Sequence, residues 1–264
     1  MSTSEPSPGS AVAYARPWVA LGVALIGFAL TVVVLQTYPA IRPQMPAWPD
    51  WAANLLDLLV ISVPLVAAVI VGAGVGARVG AGLDAGSRAG VSLDAGSRAG
   101  VGLGLARATG IREWRLTDLV LGLGIGLVVR AVVEIFAPTT GTLAGPLAGA
   151  LPLGTLVVIV LGAVLVSPFV EEWFFRGLVL RALVDALSGA GRMPAATVAI
   201  VVSTAAFSAL HFVTSGGYVS IAQLIGTVGV GVGCGTLAVL TGRLGGAMAA
   251  HATFNAVGVV LLLV

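Results

Sequence analysis

The chain reads as an all-α, polytopic transmembrane helical bundle with about seven spans. Three observations predict this. Hydrophobic residues make up 58% of the 264 and charged residues only 9%, against about 25% charge in an ordinary soluble domain. Mean hydropathy is +1.08. The apolar residues also fall in runs of about 20, the length that crosses a hydrocarbon layer of ~30 Å as a helix. The net charge is +2 and the basic residues are all arginine, spread over loops and helix ends. No continuous basic surface of the kind nucleic acid requires is present, so the bilayer is the expected environment and nucleic acid is not a partner. The single cysteine, Cys234, rules out an intrachain disulfide and a cysteine-based metal site.

Residues 1–16 form a polar N-terminal segment. Pro17 and Trp18 open an apolar run to about Val34, too long for a signal-peptide core and without a small-x-small cleavage site after it, so it reads as a retained first span. Ile41 to Trp51, rich in Pro and Trp, reads as an interfacial loop, and a second span follows over about 53–76. The region 17–137 is thus expected to hold the N-terminal transmembrane helices, interrupted by an Arg-rich loop over 77–115. That loop carries a ten-residue duplication, Leu83 to Ser92 and Leu93 to Gly102, too short and too few for a solenoid. Between Arg78 and Arg115 lie six arginines and three acids, which predicts a cytoplasmic loop and a cytoplasmic N-terminus. Further spans are expected at about 116–137, 153–187, 195–214, 218–240 and 244–264. The fourth is about a dozen residues too long for the bilayer, so its end with Arg181 and Asp185 should project or bend, and Pro168 offers a kink. Runs of alternating glycine, Gly122 to Gly126 and Gly229 to Gly235, predict close helix approach.

Ionisable side chains inside such spans mark functional sites by default. Glu171 and Glu172 lie in the fourth span, and the two histidines of the chain, His211 and His251, in the fifth and seventh. Glu172 and Arg176, four apart, face one another on a helix, whereas Glu171 points about 100° away. An ion pair can therefore hold Glu172 and leave Glu171 free to act as a general base on water. Counting from the turn near Gly191 puts Glu172 and His211 at similar depth in an antiparallel pair, and His251 reaches that depth if the hairpin between the fourth and fifth spans protrudes. A site in the membrane opening toward the cytosol is expected. His251 and Asn255 share a helical face, and an amide there can donate to a developing oxyanion. Phe207, one turn before His211, packs either beside it or against lipid. Against these readings stand bland ones: a charge cluster at a helix end and histidines satisfied by backbone carbonyls. Arg130 and Glu134, an i,i+4 pair in the third span, favour a rival class, a transporter using buried charge as a proton relay.

Three motifs, Glu171-Glu172-Trp173-Phe174-Phe175-Arg176, Phe207-Ser208-Ala209-Leu210-His211 and His251-Ala252-Thr253-Phe254-Asn255, occur in this order on three separate spans. Together they resemble the CPBP or Abi family of intramembrane proteases, which includes type II CAAX prenyl endopeptidases and bacteriocin-processing or immunity proteins. The resemblance covers about residues 150–264. It implies that Glu171 and His211 activate water and that His251 and Asn255 stabilise the tetrahedral intermediate, with Glu172, Arg176 and Phe207 in support. It implies a membrane-associated peptide or protein as substrate, and the expected location is a membrane, the cytoplasmic membrane if the source is bacterial. Since bacteria generally lack protein prenylation, a bacterial source favours peptide maturation or bacteriocin resistance over the literal CAAX reaction. A noncatalytic immunity or membrane-anchored binding protein is the alternative within the family. Zinc, held by His211, His251 and Glu171, is the metal such a site could take. With Arg176 competing for the carboxylates and no His-Glu-x-x-His pair in the sequence, a metal-independent mechanism is favoured.

Overall fold

The computed structural model describes residues 14–77, 105–111, 114–139 and 152–263. The duplicated segment 83–102 and most of the loop after the third span lie outside them. Seven helices in the described residues are long and apolar enough to cross a membrane: α1 (Pro17–Ile41), α2 (Asp50–Ala77), α3 (Leu116–Phe136), α4 (Leu153–Ala186), α5 (Arg192–Thr214), α6 (Ile221–Thr241) and α7 (Gly245–Leu263). The first span runs seven residues beyond the expected Val34, through Pro39, before a single 3-10 turn at Arg42–Gln44.

The packing inverts that of a water-soluble bundle. On α3 the glycines Gly122 and Gly126 face inward while Leu121, Leu123 and Val128 are exposed, as expected where lipid solvates the outer face and close backbone contact holds the inner one. A Cβ at Gly122 or Gly126 would overlap the backbone carbonyls of Gly246 and Ala250, so α3 lies directly on α7. Gly229 and Gly233 admit Val129 and Ile125 of α3 in the same way, and Gly231 admits Thr204 of α5. Gly124, read from the sequence as part of this surface, meets nothing within 4 Å. It falls on the outer face, because alternate residues on a helix are about 200° apart.

α4 lies among α1, α2, α5 and α7 and is not α-helical throughout. Two π-helical stretches, Gly162–Val166 and Trp173–Leu180, flank the six α-helical residues Ser167–Glu172. The cause of the first is legible in Pro168. The Ser167 N–H bonds Gly162 O, five residues back, and the next nitrogen belongs to proline, which has no hydrogen to donate. Ala163 O is thereby left without its intrahelical donor. Side chains from elsewhere in the fold take up carbonyls of this irregular helix: Asn255 Nδ2 donates to Ala163 O at 2.8 Å, Ser203 Oγ to Phe175 O at 2.9 Å and Tyr14 Oη, just before α1, to Gly177 O at 2.8 Å. In a bilayer such backbone groups must be satisfied within the protein.

The far end of α4 is tied down. Asp185 accepts from Tyr14 N at 2.7 Å, and Arg181 donates to the carbonyls of Ala108 and Gly242. Gly110, at φ 71°, offers its carbonyl to Leu244 N, and Arg243 forms a two-pronged pair with Asp118 at 2.6 and 2.8 Å. The start of α1, the ends of α2, α4 and α6 and the starts of α3 and α7 therefore share one face of the bundle. This is the arrangement that alternate crossings require.

Candidate functional site

The structure brings Glu171, Glu172, Arg176, Phe207, His211 and His251 together at the junction of α4, α5 and α7. Glu172 and Arg176 form the expected i,i+4 ion pair at 3.0 Å, both side chains fully buried. The same Glu172 oxygen, Oε1, lies 2.9 Å from His251 Nδ1. A carboxylate oxygen accepts from both, so Nδ1 carries a proton and the other ring nitrogen of His251 faces the site. His211 is turned in the same sense: its Nδ1 lies 3.0 Å from Phe207 O, an acceptor only, so Nδ1 donates and Nε2 is directed away from its own helix. Both Nε2 atoms meet one oxygen, Glu171 Oε2, which lies 3.9 Å from His211 and 3.8 Å from His251. That oxygen is buried and has no hydrogen-bond partner in the structure, while Glu171 Oε1 accepts from Ser167 Oγ.

Phe207 organises the ring system. It is 1% exposed, packs at 4.4 Å from the His211 ring and 5.5 Å from the His251 ring, and lies under the Arg176 guanidinium at 4.6 Å. Of the two positions the sequence leaves open for it, beside His211 or against lipid, the structure takes the first. Cys234 is buried and donates to Ala247 O, as expected of a packing residue.

Two cavities meet at His211. The larger, about 250 Å³, is lined by His211, His251 and Asn255 and extends to Arg130, Thr139 and Gln223. The other, about 230 Å³, lies between α2, α4 and α5 and is lined by Ser62, Leu65, Ser167, Glu171 and Thr214 with His211. Thr139 and Gln223 lie at the end of the bundle opposite Arg181 and Arg243. The larger cavity therefore leads away from the Arg243 end, not toward it as the sequence reading expects. The reason is the length of α5, which ends three residues past His211. The first turn of α6 then folds back, and Gln223 Nε2 donates to His211 O at 2.8 Å. Asn255 shares the wall of the larger cavity with both histidines, one amide hydrogen engaged by Ala163 O. Arg130 and Glu134 pair at 2.5 Å and close on Thr139 at the cavity's outer end, where Thr139 donates to both Glu134 oxygens.

Zinc is the metal that the family resemblance raises. Two donors on a tetrahedral zinc ion with bonds of ~2.0–2.1 Å lie about 3.4 Å apart, closer than the 3.8 and 3.9 Å found here. Among the described residues no group of His, Cys, Asp and Glu is assembled to hold a metal ion. The side chains as placed do not fit one, and no step below is routed through it.

Ser167 is the residue that sequence reasoning missed. A serine in an apolar helix draws no attention by itself, and only its i,i+4 spacing to Glu171 carried a signal. The π-helical turns had none beyond Pro168.

A carboxylate pair and two histidines, enclosed by apolar helices of spanning length, form the polar centre of an integral membrane protein. The family model described as type II CAAX prenyl endopeptidase Rce1-like matches residues 153–257, from the start of α4 into α7, and includes all three motifs. Over that stretch the chain is similar to the CAAX protease family, a family of proteases. No curated protein and no solved structure matches the chain.

Proposed function

We propose that the protein is an intramembrane endopeptidase that hydrolyses a peptide bond of a membrane-associated peptide or protein, with water activated by Glu171 and His211. The single observation that carries this reading is the approach of Glu171 Oε2 to both Nε2 atoms at 3.8 and 3.9 Å. One water with bonds of about 2.8 Å spans such a gap. As its oxygen attacks the peptide carbon, Glu171 Oε2 takes a proton and the carbonyl electron pair moves onto oxygen. His211 Nε2 accepts a hydrogen bond from the water's other O–H, which keeps its proton, and so orients the attack.

The oxyanion needs donors. His251 supplies one from Nε2 in the form that carries a proton on each ring nitrogen, its Nδ1–H donating to Glu172 Oε1. The second hydrogen of Asn255 Nδ2, not used by Ala163 O, is the other. Glu171 then returns its proton to the leaving nitrogen as the C–N bond breaks. No metal takes part in this scheme. We place the Arg181 end and the N-terminus on the cytoplasmic side of the membrane, on the arginine excess of residues 78–115.

The test uses the purified full chain in vesicles with two quenched fluorescent peptides. One is prenylated on the cysteine of a C-terminal Cys-aliphatic-aliphatic-X sequence, and the other is an unprenylated apolar peptide. Cleavage of either by the parent protein and its loss in Glu171→Ala support the reading. Cleavage at the parent rate by Glu171→Ala removes the assigned base, and cleavage of neither peptide by the parent overturns the protease.

A further inference from the structure

We infer that Ser167 is a positioning residue that aims the Glu171 carboxylate, an inference that rests on the base role proposed for Glu171. Ser167 Oγ donates to Glu171 Oε1 from one turn earlier on α4. One carboxylate oxygen is thus held, and the other, Oε2, is left bare, buried and directed at the two histidines.

This use of the hydroxyl follows from the local irregularity of the helix. A helical serine ordinarily donates back to the carbonyl four residues earlier. Here that carbonyl is Ala163 O, which already accepts from Asn255 Nδ2 at 2.8 Å. The Ser167 hydroxyl turns forward instead, to Glu171. Asn255 and Ser167 are therefore coupled through one carbonyl, and the π-helical stretch that Pro168 terminates is what makes that carbonyl available.

Glu171 needs such a restraint. It borders a cavity of about 230 Å³, into which a side chain with three rotatable bonds is able to swing. Its charged neighbours are Glu172 and Arg176 on α4, His211 on α5 and His251 on α7, and none of their side chains donates to Oε1. The lining of this cavity from α2 contributes Leu58, Ile61, Ser62 and Leu65, none of them titratable. A general base displaced by about 1 Å loses a large part of its rate, so a hydroxyl that selects one carboxylate orientation acts on turnover and not on substrate affinity.

The experiment compares Ser167→Ala, Ser167→Thr, Glu171→Ala and the double variant Ser167→Ala with Glu171→Ala, all in the full chain with whichever of the two quenched peptides the parent cleaves. Ser167→Ala should lower kcat about tenfold, the worth of one hydrogen bond to a charged group, with KM within about twofold. Ser167→Thr, which keeps the hydroxyl, should restore most of the parent kcat. In the Glu171→Ala background the serine change should have no further effect on residual turnover, since its route of action is gone. Parent kcat in Ser167→Ala, a Thr variant as slow as the Ala variant, or a further loss in the double variant each overturns the positioning role while leaving Glu171 as the base. If Ser167→Ala does not fold, Ser167→Cys, a weaker donor of similar size, takes its place with the same expected direction. Parent-rate turnover in Glu171→Ala is a separate result that overturns the base role, and failure of the parent to cleave either peptide overturns both.

Discussion

Glu172 and His251 stand 79 residues apart in the chain, yet His251 Nδ1 lies 2.9 Å from Glu172 Oε1, the same oxygen that receives Arg176 Nη1 at 3.0 Å. One carboxylate thus neutralises the buried guanidinium of its own helix and sets the orientation of an imidazole on another. Glu171, its neighbour in sequence, has neither duty.

Glu172→Gln should accordingly destabilise the fold. It strands Arg176, whose side chain is 0% exposed, and breaking a buried pair on one side costs about 3–5 kcal/mol. Thermal unfolding in detergent should show a marked fall in Tm and poor expression.

Glu171→Gln should behave in the opposite way, with near-parental Tm and turnover down by about 10²–10⁴, the usual worth of a general base. Kinetics and melting of both glutamine variants side by side provide the check. If Glu172→Gln proves stable and inactive while Glu171→Gln unfolds, the two roles are exchanged.

Asn255→Ala removes a donor from Ala163 O on α4, a carbonyl that Pro168 has deprived of its helical partner. An unsatisfied buried acceptor costs about 1–3 kcal/mol. If the second amide hydrogen also serves the oxyanion, kcat should fall by about 10²–10³ as well. Asn255→Asp, which keeps the shape but replaces the donor by a carboxylate, should be no better, and recovery of activity in it would remove the oxyanion role.

Activity should survive exhaustive chelation, because the proposed scheme passes the water's proton to Glu171 and the oxyanion to His251 and Asn255. A zinc-bound water owes its acidity to the ion. Loss of turnover on stripping about one zinc per chain, with recovery on adding it back, would recast His211, His251 and Glu171 as ligands.

Tyr14 lies at the mouth of α1, fully buried, and burial pushes its hydroxyl well above the ordinary tyrosine value, with Arg181 opposing and Asp185 adding to the shift. A raised folded-state value means that the neutral form is favoured by folding. The contribution is intact below about pH 10 and is lost as the pH rises beyond it. Tyr14→Phe should cost about 0.5–1.5 kcal/mol at neutral pH by removing the hydrogen bond to Gly177 O. The gap in Tm between the two proteins should narrow in alkaline buffer, and a gap independent of pH would show that Tyr14 is not buried in the folded state.

Much of this molecule is decided by sequence alone, for a local reason. In a bilayer each backbone amide must be satisfied within its own segment, so an apolar run of sufficient length determines a helix, and the runs from Pro17, Asp50, Leu116, Leu153, Arg192, Ile221 and Gly245 all become spans. The i,i+4 spacing likewise determines that Glu172 pairs with Arg176 and that Glu171 does not. Tertiary structure alone decides what depends on the relative depth of helices: that Phe207 is buried between two histidines, that Gly124 faces outward beside inward Gly122 and Gly126, and that the larger cavity leads toward Thr139 and Gln223. It alone shows that Ala163 O, freed by Pro168, is claimed by Asn255 from 92 residues away, which leaves Ser167 to hold Glu171. Helix formation answers to neighbours within one turn, whereas the choice of partner for a stranded carbonyl or a bare carboxylate oxygen answers to whichever helix packing brings within 3 Å.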